Sequence, residues 1–559
     1  MVYGLQFKDD NWVQKYKIFS YYSSFSKKIT TFAAIIQNNR MNLVNESVRK
    51  KVWCLLMLAL MPLFAFPHEK SIVILYENDV HCTIDGYAQL AGLRDAIMQS
   101  DTAWTAVVSS GDYLQGEMYG ALSRGQYIID IMRKVGYDAV TLGNHEFDYG
   151  VERMQELLQQ LNAPVVCANY FKTGTSTPCY APYTICRYGD KRIAFVGVVT
   201  PVTMESESFS FYDINDCQLY DLRPNDISHL VQTAVDKARN EGADYVVVLS
   251  HLGESQPKSG ITSHQLVAAT RGIDAVLDGH THSVIPCDKV ANLDGKAVPV
   301  TQTGTQFANV GKLVITADGN ITTTLIPTKD ITYTNATVKA AIDNIHAEEK
   351  DNISRKLCHS DYLLNIYDAD GENLVRRAET NLGDLVTDAY CHVMQAEIGC
   401  YNSGGIRNGI NAGTITYGDV INALPFNNYM AKIEATGAEI LAMLKRCTAA
   451  LPETDGQFPQ VSCLRYTIHQ KNHTISDVSV FDSASSTWKP LDLQRRYTVA
   501  LSDYYLGGGF YNMLKGCRQL FISTMFTRDA LAEYLTKALG GTIPARYAHP
   551  QGRITIVDD

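Results

Sequence analysis

Between Ser71 and Thr334 the chain alternates short β-branched apolar runs with amphipathic stretches, and this alternation restricts its fold more than any other feature. The runs are SIVILY (71–76), WTAVVSS (104–110), DAVTL (138–142), RIAFVGVV (192–199), DYVVVLS (244–250) and IDAVLDG (273–279). Continuous apolar runs of this length suit strands covered on both faces. Stretches such as VERMQELLQQL (151–161) and ISHLVQTAVDKARNEG (227–242) lie between them and end near Gly or Pro, as amphipathic helices do. Strands alternating with helices predict a layered α/β domain.

The segments just after the runs are as informative. ENDVHC after the first supplies Asp79 and His81, and GDYLQG after the second supplies Asp112. GNHEFD after the third supplies Asn144, His145 and Asp148. HLGE then supplies His251, and GHTHS supplies His280 and His282. Open α/β sheets bind ligands beyond the C-terminal ends of their strands. One histidine there is ordinarily structural, whereas five strand ends that each deliver Asp, Asn or His point to a shared metal site. Oxygen and imidazole donors without thiolate suit Zn²⁺, Mn²⁺ or Fe rather than a cysteine-bound structural zinc. Seven donors are too many for one tetrahedral ion and enough for two that share a carboxylate. In D-x-H and H-x-H, residues i and i+2 of an extended segment point the same way, so each pair is expected to aim both members into one pocket. The glycine of GNH permits a sharp turn at the strand end. Asp148 is placed to accept a hydrogen bond from His145, which would raise the imidazole pKa and fix its tautomer.

The chain has 559 residues, more than one ordinary core accommodates, so two or more domains are expected. With 46% apolar and 19% charged residues it reads as folded rather than disordered. A net charge of −10 without a basic domain argues against a nucleic-acid polymer as partner and leaves room for a small anionic substrate. The thirteen cysteines contain no CxxC pair, which excludes a zinc ribbon or a thioredoxin-type motif, and an odd number cannot all pair internally. RKKVWCLLMLALMPLFAF (49–66) resembles the basic and apolar regions of a secretory signal and is short of the roughly 20 residues of a membrane span. Translation starting at Met41 would account for its depth in the chain; an uncleaved anchor is the competing reading. Cys54 stands at the start of the apolar run, which speaks against lipid attachment.

Beyond Thr334, NATVKAAIDNIHAEEKDNIS (335–354) reads as a polar helix capped by Asn335 or Thr337, either a connector between domains or a helix within one. NLGDLVTDAYCHVMQ (381–395) and TGAEILAMLKRCTAAL (436–451) look helical, and QVSCLRYTIH (460–469), RYTVALSD (496–503) and RITIVD (553–558) look like strands, predicting an α+β region.

ENDVH, SSGDYLQG, LGNHEFDYG, LSHLG and DGHTH resemble, in order, the five blocks of the calcineurin-like metallophosphoesterase superfamily. Within it the chain is similar to the 5′-nucleotidase family, which includes bacterial periplasmic UDP-sugar hydrolases and 2′,3′-cyclic-nucleotide phosphodiesterases. The resemblance extends over roughly residues 70–555. It implies a leader at 1–67, a four-layer α/β/β/α metallophosphoesterase sandwich at 68–334, a linking helix at 335–356 and an α+β C-terminal substrate-binding domain at 357–559. It implies that Asp79, His81 and His282 hold one divalent ion, that Asn144, His251 and His280 hold a second, and that Asp112 bridges both. His145, supported by Asp148, would stay off the metals and face the substrate. The implied reaction is water attack on a nucleoside phosphate without a phosphoenzyme, by a secreted, periplasmic or cell-surface protein with no stable membrane span after signal cleavage. The oligomeric state is left open.

The second region carries YNSGGIRNGINAGTITYGDVINALPFNN (401–428), which alone reads as a glycine-rich loop. It is similar to the N-x-G-G-I-R and L-P-F blocks of the same family. That likeness implies that Asn402 and Arg407 contact the substrate and that Phe426 stacks on a base. Arg376 in VRRAETNLGDL stands where the family has another substrate-contacting Arg; a surface Arg near a helix start is the plainer alternative. The chain departs from the family at SDYYLGGGFYN (502–512), which lacks the Asp of the usual GGDG, so the resemblance implies neither the ribose contact nor strict nucleoside specificity here. Tyr505, or Tyr504, is expected to supply a second stacking ring. Cys82 replaces the Gly common after D-x-H and is expected to be packed and inert. Other readings are a cyclic-nucleotide phosphodiesterase or UDP-sugar hydrolase using the same site, and a non-catalytic nucleotide-binding surface protein. The last should have lost ligands, yet all seven are present.

Overall fold

A computed structural model of the chain describes residues 70–213, 217–254, 261–507 and 509–559. The leader at 1–67, with its signal-like segment at 49–66, lies outside the described residues.

Two sheets are made from β1 (Ser71–Glu77), β2 (Ala103–Ser109), β3 (Ala139–Val140), β4 (Tyr183–Tyr188), β5 (Lys191–Val199), β6 (Tyr245–His251), β7 (Ala275–Leu277), β8 (Val284–Ala291), β9 (Ala297–Thr303), β10 (Asn309–Ile315) and β11 (Ile321–Pro327). One has the order β11-β10-β1-β2-β3 and the other β8-β9-β7-β6-β5-β4. The six expected runs form most of the parallel centres: β1 pairs with β2 and β2 with β3, and β5, β6 and β7 pair in series, extended by β9, which is not among those runs. Antiparallel strands complete the edges.

Both faces of each centre are dry, which is why these segments read as unbroken apolar runs. Ile72, Ile74, Tyr76, Ala106 and Val108 of one sheet meet Phe195, Val247, Leu249 and Leu277 of the other. On the outside, Val73, Leu75 and Val107 pack under α1 (Gly86–Ser100), α2 (Gln126–Val135) and α3 (Val151–Gln160). Val196, Val198, Val246 and Val248 pack under α4 (Ile227–Asn240) and α5 (Ser263–Ala268). The result is the four-layer α/β/β/α sandwich, in which each fully buried Val, Leu or Ile contributes about 1.5–3 kcal/mol.

Helix α6 (Ala336–Ile353) begins at Asn335, whose side chain accepts a hydrogen bond from the Val338 N–H at 2.9 Å, so Asn335 rather than Thr337 is the cap. Its Val338, Ile342 and Ile345 join the apolar layer of α1 and α2.

The C-terminal region is α+β. It contains α7 (Asn381–Met394) and α8 (Gly437–Cys447), and β12 (Ile398–Asn402), β13 (Tyr429–Thr436), β14 (Pro459–Ser462), β15 (Leu464–His469), β16 (Thr474–Asp482), β17 (Thr487–Pro490), β18 (Arg496–Ser502), β19 (Arg518–Phe526) and β20 (Ile554–Val557). Its main sheets are ordered β14-β12-β18-β13-β19 and β17-β16-β15-β20. The single strand expected over QVSCLRYTIH is two, in different sheets, because Cys463 takes a left-handed turn (φ 57°) that redirects the chain.

Candidate active site

The strand ends converge as the residue types suggested, by a different local geometry. Asp79, His81, Asp112, His280 and His282 have φ of 51°, 45°, 60°, 80° and 58°. Neither D-x-H nor H-x-H is therefore extended; the shared aim of each pair comes from left-handed turns just past β1, β2 and β7. Such conformations cost about 1–3 kcal/mol per non-glycine residue and persist where surrounding bonds enforce them. Here the Asp79 N–H donates to Gly111 O and the His81 N–H to Asp112 O, both at 3.0 Å.

All seven residues meet. His251 Nε2 lies 3.1 Å from Asp112 Oδ2 and 3.8 Å from Asp79 Oδ1. His282 Nε2 lies 3.4 Å from Asp79 Oδ1 and 3.0 Å from His81 Nε2. His280 Nδ1 lies 3.0 Å from Asn144 Oδ1. Main-chain carbonyls select the tautomers: His81 Nδ1 donates to Gln115 O at 3.0 Å and His251 Nδ1 to Ser110 O at 2.7 Å, which turns both Nε2 atoms inward. Asn78 Nδ2 donates to Asp79 Oδ2 at 2.7 Å and steadies that carboxylate.

Gly143 and Gly279 make room for this cluster. A Cβ on Gly143 would lie 2.2 Å from Asp112 Oδ1, and one on Gly279 would lie 2.8 Å from His251 Nδ1. Gly143 therefore serves close approach and not, as the turn at GNH suggested, an unusual φ.

Electrostatics fit a cation site. Burial opposes charge on His251, yet the Asp112 and Asp79 carboxylates outweigh it and raise its pKa to about 10. Burial and the neighbouring His251 hold His280 down at about 4, and burial with His282 holds His81 well below the usual histidine range. With its Nδ1–H given to Gln115 O, His81 Nε2 faces His282 Nε2 and the Asp79 and Asp112 carboxylates. His251 Nε2 is buried and has no aligned hydrogen-bond partner. Clustered imidazole nitrogens and carboxylate oxygens, whose carboxylates favour positive charge at His251, suit divalent transition ions. Asp79, His81 and His282 form one three-donor group, and Asp79, Asp112 and His251 another.

Glu146, which carries no mark in the sequence, organises both loops. Its buried carboxylate accepts four main-chain N–H bonds, from Asp112 (2.8 Å), Gly143 (2.5 Å), Tyr113 (2.8 Å) and Leu114 (3.1 Å). Next to it, the His145 N–H donates to Asp112 Oδ1 at 2.8 Å, and His145 Nδ1 lies 2.9 Å from Asp148 Oδ2. Cys82, wholly buried, donates its thiol to Tyr113 O at 3.3 Å.

A cavity of about 490 Å³ opens above Asp112, Asn144 and His145. Its far wall comes from the C-terminal region and includes Arg376, Asn402, Arg407 and Phe426. The Phe426 ring is 5.9 Å from the His145 ring, and the Arg407 guanidinium is 5.9 Å from the Phe426 ring. Arg376 is half-buried and lines the cavity rather than standing on the open surface, and burial with the charge of Arg407 lowers its pKa to about 10. A smaller cavity of about 180 Å³ lies on the other side of the two arginines, against His81 and His282.

Tyr505 does not take the place expected of it. It is wholly buried in the C-terminal core with its hydroxyl 3.5 Å from Cys400 Sγ, whereas Tyr504 and Tyr511 line the cavity. Tyr511 was missed because GGGFYN offers only a loop signal.

Two facing sheets with donor groups gathered at the ends of their parallel strands define a calcineurin-like phosphoesterase architecture. The family model for the 5′-nucleotidase C-terminal domain matches residues 365–516, and that for the bacterial capsule synthesis protein PGA_cap matches 77–301. The 5′-nucleotidase of Rattus norvegicus is 25% identical, the alignment covering 82% of this chain and 86% of the rat protein. The trifunctional nucleotide phosphoesterase protein YfkN of Bacillus subtilis is also 25% identical over 78% of this chain, which spans only 32% of that protein's length. The crystal structure of the 5′-nucleotidase precursor of Thermus thermophilus has the same fold, with a TM-score of 0.74 at 24% identity, covering 88% of this chain and 100% of that one. Together these matches support the 5′-nucleotidase family of the calcineurin-like phosphoesterases as the one this chain resembles. Among the described residues no helix is long and apolar enough to cross a membrane.

Proposed function

We propose that this chain is a metal-dependent nucleotide phosphohydrolase of 5′-nucleotidase type, releasing nucleoside and inorganic phosphate. The observation that carries this reading is the convergence of seven oxygen and imidazole donors with His145–Asp148 on one side of a cavity whose other side is lined by aromatic rings and arginines. Asp79, His81 and His282 would hold one divalent ion and Asn144, His251 and His280 the other, with Asp112 shared. Such a pair of ions supplies positive charge for the phosphoryl oxygens and acidifies water.

The chain's own residues do the rest. Asp148 accepts from His145 Nδ1, which turns His145 Nε2 toward the cavity to hydrogen-bond the phosphoryl group as charge develops. Arg376 and Arg407 pair with the anion, and Asn402, whose Oδ1 has no partner, is free to bind the nucleoside. Phe426 and Tyr504 offer stacking faces, worth about 1–3 kcal/mol per base and tolerant of its identity. The absence of a GGDG aspartate favours relaxed sugar specificity, so UDP-sugars and 2′,3′-cyclic nucleotides remain substrates to test. We assign 49–66 to export, with the periplasm or cell surface as destination; N-terminal sequencing of the mature protein checks this.

The test is phosphate release from AMP, UDP-glucose, 2′,3′-cyclic AMP and bis(p-nitrophenyl) phosphate, before and after chelation. Hydrolysis should vanish with the metal, return with Mn²⁺ or Zn²⁺, and fall by about 10²–10⁴ in His145→Ala. Hydrolysis by a protein shown by elemental analysis to be stripped of metal would overturn the reading.

A further inference from the structure

Glu207 lies between two one-turn helices, Thr203–Ser206 and Ser208–Phe211, and lines the cavity although only 6% exposed. Donor atoms of Glu207, Asp148 and His145 all lie within 4.8 Å of one another. Asp148 Oδ2 is taken by His145, while Asp148 Oδ1 is buried and receives no N–H or hydroxyl bond. The group facing it is the Glu207 carboxyl. Two buried carboxyls in contact cannot both be ionised; one keeps its proton and donates it to the other.

We propose that Glu207 is a positioning residue: as the neutral acid it donates its O–H to Asp148 Oδ1, leaving Oδ2 to hold His145 Nδ1–H, so that Glu207, Asp148 and His145 form one hydrogen-bonded chain ending at the phosphoryl site. Burial, with the Asp148 charge adding to it, places Glu207 well above the usual carboxylate range, in keeping with the neutral form. Ser206 beside it, Tyr504 of the C-terminal region, and Arg407, Asp112, Glu146, Tyr149 and Cys82 near Asp148 also face the pair. The next residue, Ser208, donates to Gly507 O at 2.8 Å, tying this segment to the C-terminal region that carries Tyr504.

This inference rests on the phosphohydrolase reading, and its test separates the two. In the metal-free protein the His145 Nδ1–H proton is observed by NMR, a signal that does not depend on activity. Glu207→Ala should shift or lose that resonance and, in the metal-loaded enzyme, lower kcat about ten- to hundredfold with KM for AMP little changed. Glu207→Gln, whose amide also donates, should retain the resonance and keep kcat within about threefold. If thermal unfolding shows Glu207→Ala to be misfolded, Glu207→Asp replaces it, since its shorter acid stops short of Asp148. A wild-type resonance and kcat in Glu207→Ala would overturn the proposal, as would Glu207→Gln being as damaged as Glu207→Ala. Wild-type protein without metal-dependent hydrolysis would defeat the functional reading while leaving the NMR result to judge Glu207.

Discussion

Replacing Glu146 with Gln tests how the loops that carry Asp112 and Gly143 are held. The carboxylate accepts N–H bonds from Asp112 and Gly143 on one oxygen and from Tyr113 and Leu114 on the other. A carboxamide has one acceptor oxygen, so two of these buried N–H groups must face an NH₂. A buried donor left without a partner costs about 1–3 kcal/mol, which puts Glu146→Gln at about 2–6 kcal/mol, a large share of a typical 5–15 kcal/mol stability. The cost falls on the loops that keep Asp112 at φ 60° and bring Gly143 against it, so divalent-metal affinity should drop about ten- to hundredfold as well. The assay is urea unfolding followed by tyrosine fluorescence, with and without metal, together with competitive metal titration. Glu146→Asp, which keeps the charge but withdraws it by one methylene, should fall between wild type and Glu146→Gln. An unfolding midpoint and a metal affinity unchanged in Glu146→Gln would refute the claim that this side chain holds the loops, because no other group among the described residues is placed to satisfy those four donors.

Three further outcomes are expected. Gly143→Ala would put a methyl 2.2 Å from Asp112 Oδ1 and 2.7 Å from His251 Nε2, so metal content by elemental analysis should fall sharply while circular dichroism stays native; Gly516→Ala, which has open space around it, should bind metal normally. Phe426→Ala should raise KM for AMP by about 5- to 150-fold, the equivalent of 1–3 kcal/mol of stacking, and leave hydrolysis of methyl phosphate much less affected. Burial raises Asp503 to about 6, against the Tyr429 N–H bond that pulls it down. Its folded pKa lies above the unfolded value of about 3.9, so the native state binds more protons between those values, and stability falls by about 2–3 kcal/mol as pH rises from 4 to 6 and is flat above. Asp503→Asn should remove that slope from chemical-denaturation curves recorded between pH 4 and 7; an unaltered slope would show that Asp503 is not its source.

The parallel core was legible because strands such as β1 and β6 are dry on both faces and so consist almost wholly of apolar residues. Antiparallel β8 is mostly exposed, and VIPCDKVA carries neither a run nor a clean alternation. The same division runs through the site. Residue type reveals a donor set wherever it occurs, so Asp79, His81, Asp112, Asn144, His251, His280 and His282 could be picked out from the few residues at the end of each strand. Residues that act through main-chain atoms or through another carboxyl have no comparable mark. Glu146 matters because the fold carries the amides of 112–114 to it from another strand end, and Glu207 because it carries an acid to Asp148 from 59 residues further on. Nor does spacing in the sequence determine which face a side chain takes in a tight turn. Tyr504 and Tyr505 are neighbours in the one-turn helix Asp503–Leu506, where successive side chains diverge by about 120°, so one ring faces the cavity and the other the core. Local pattern could narrow the second aromatic to two adjacent tyrosines; choosing between them required knowing that β12, with Cys400, lies beneath one of them.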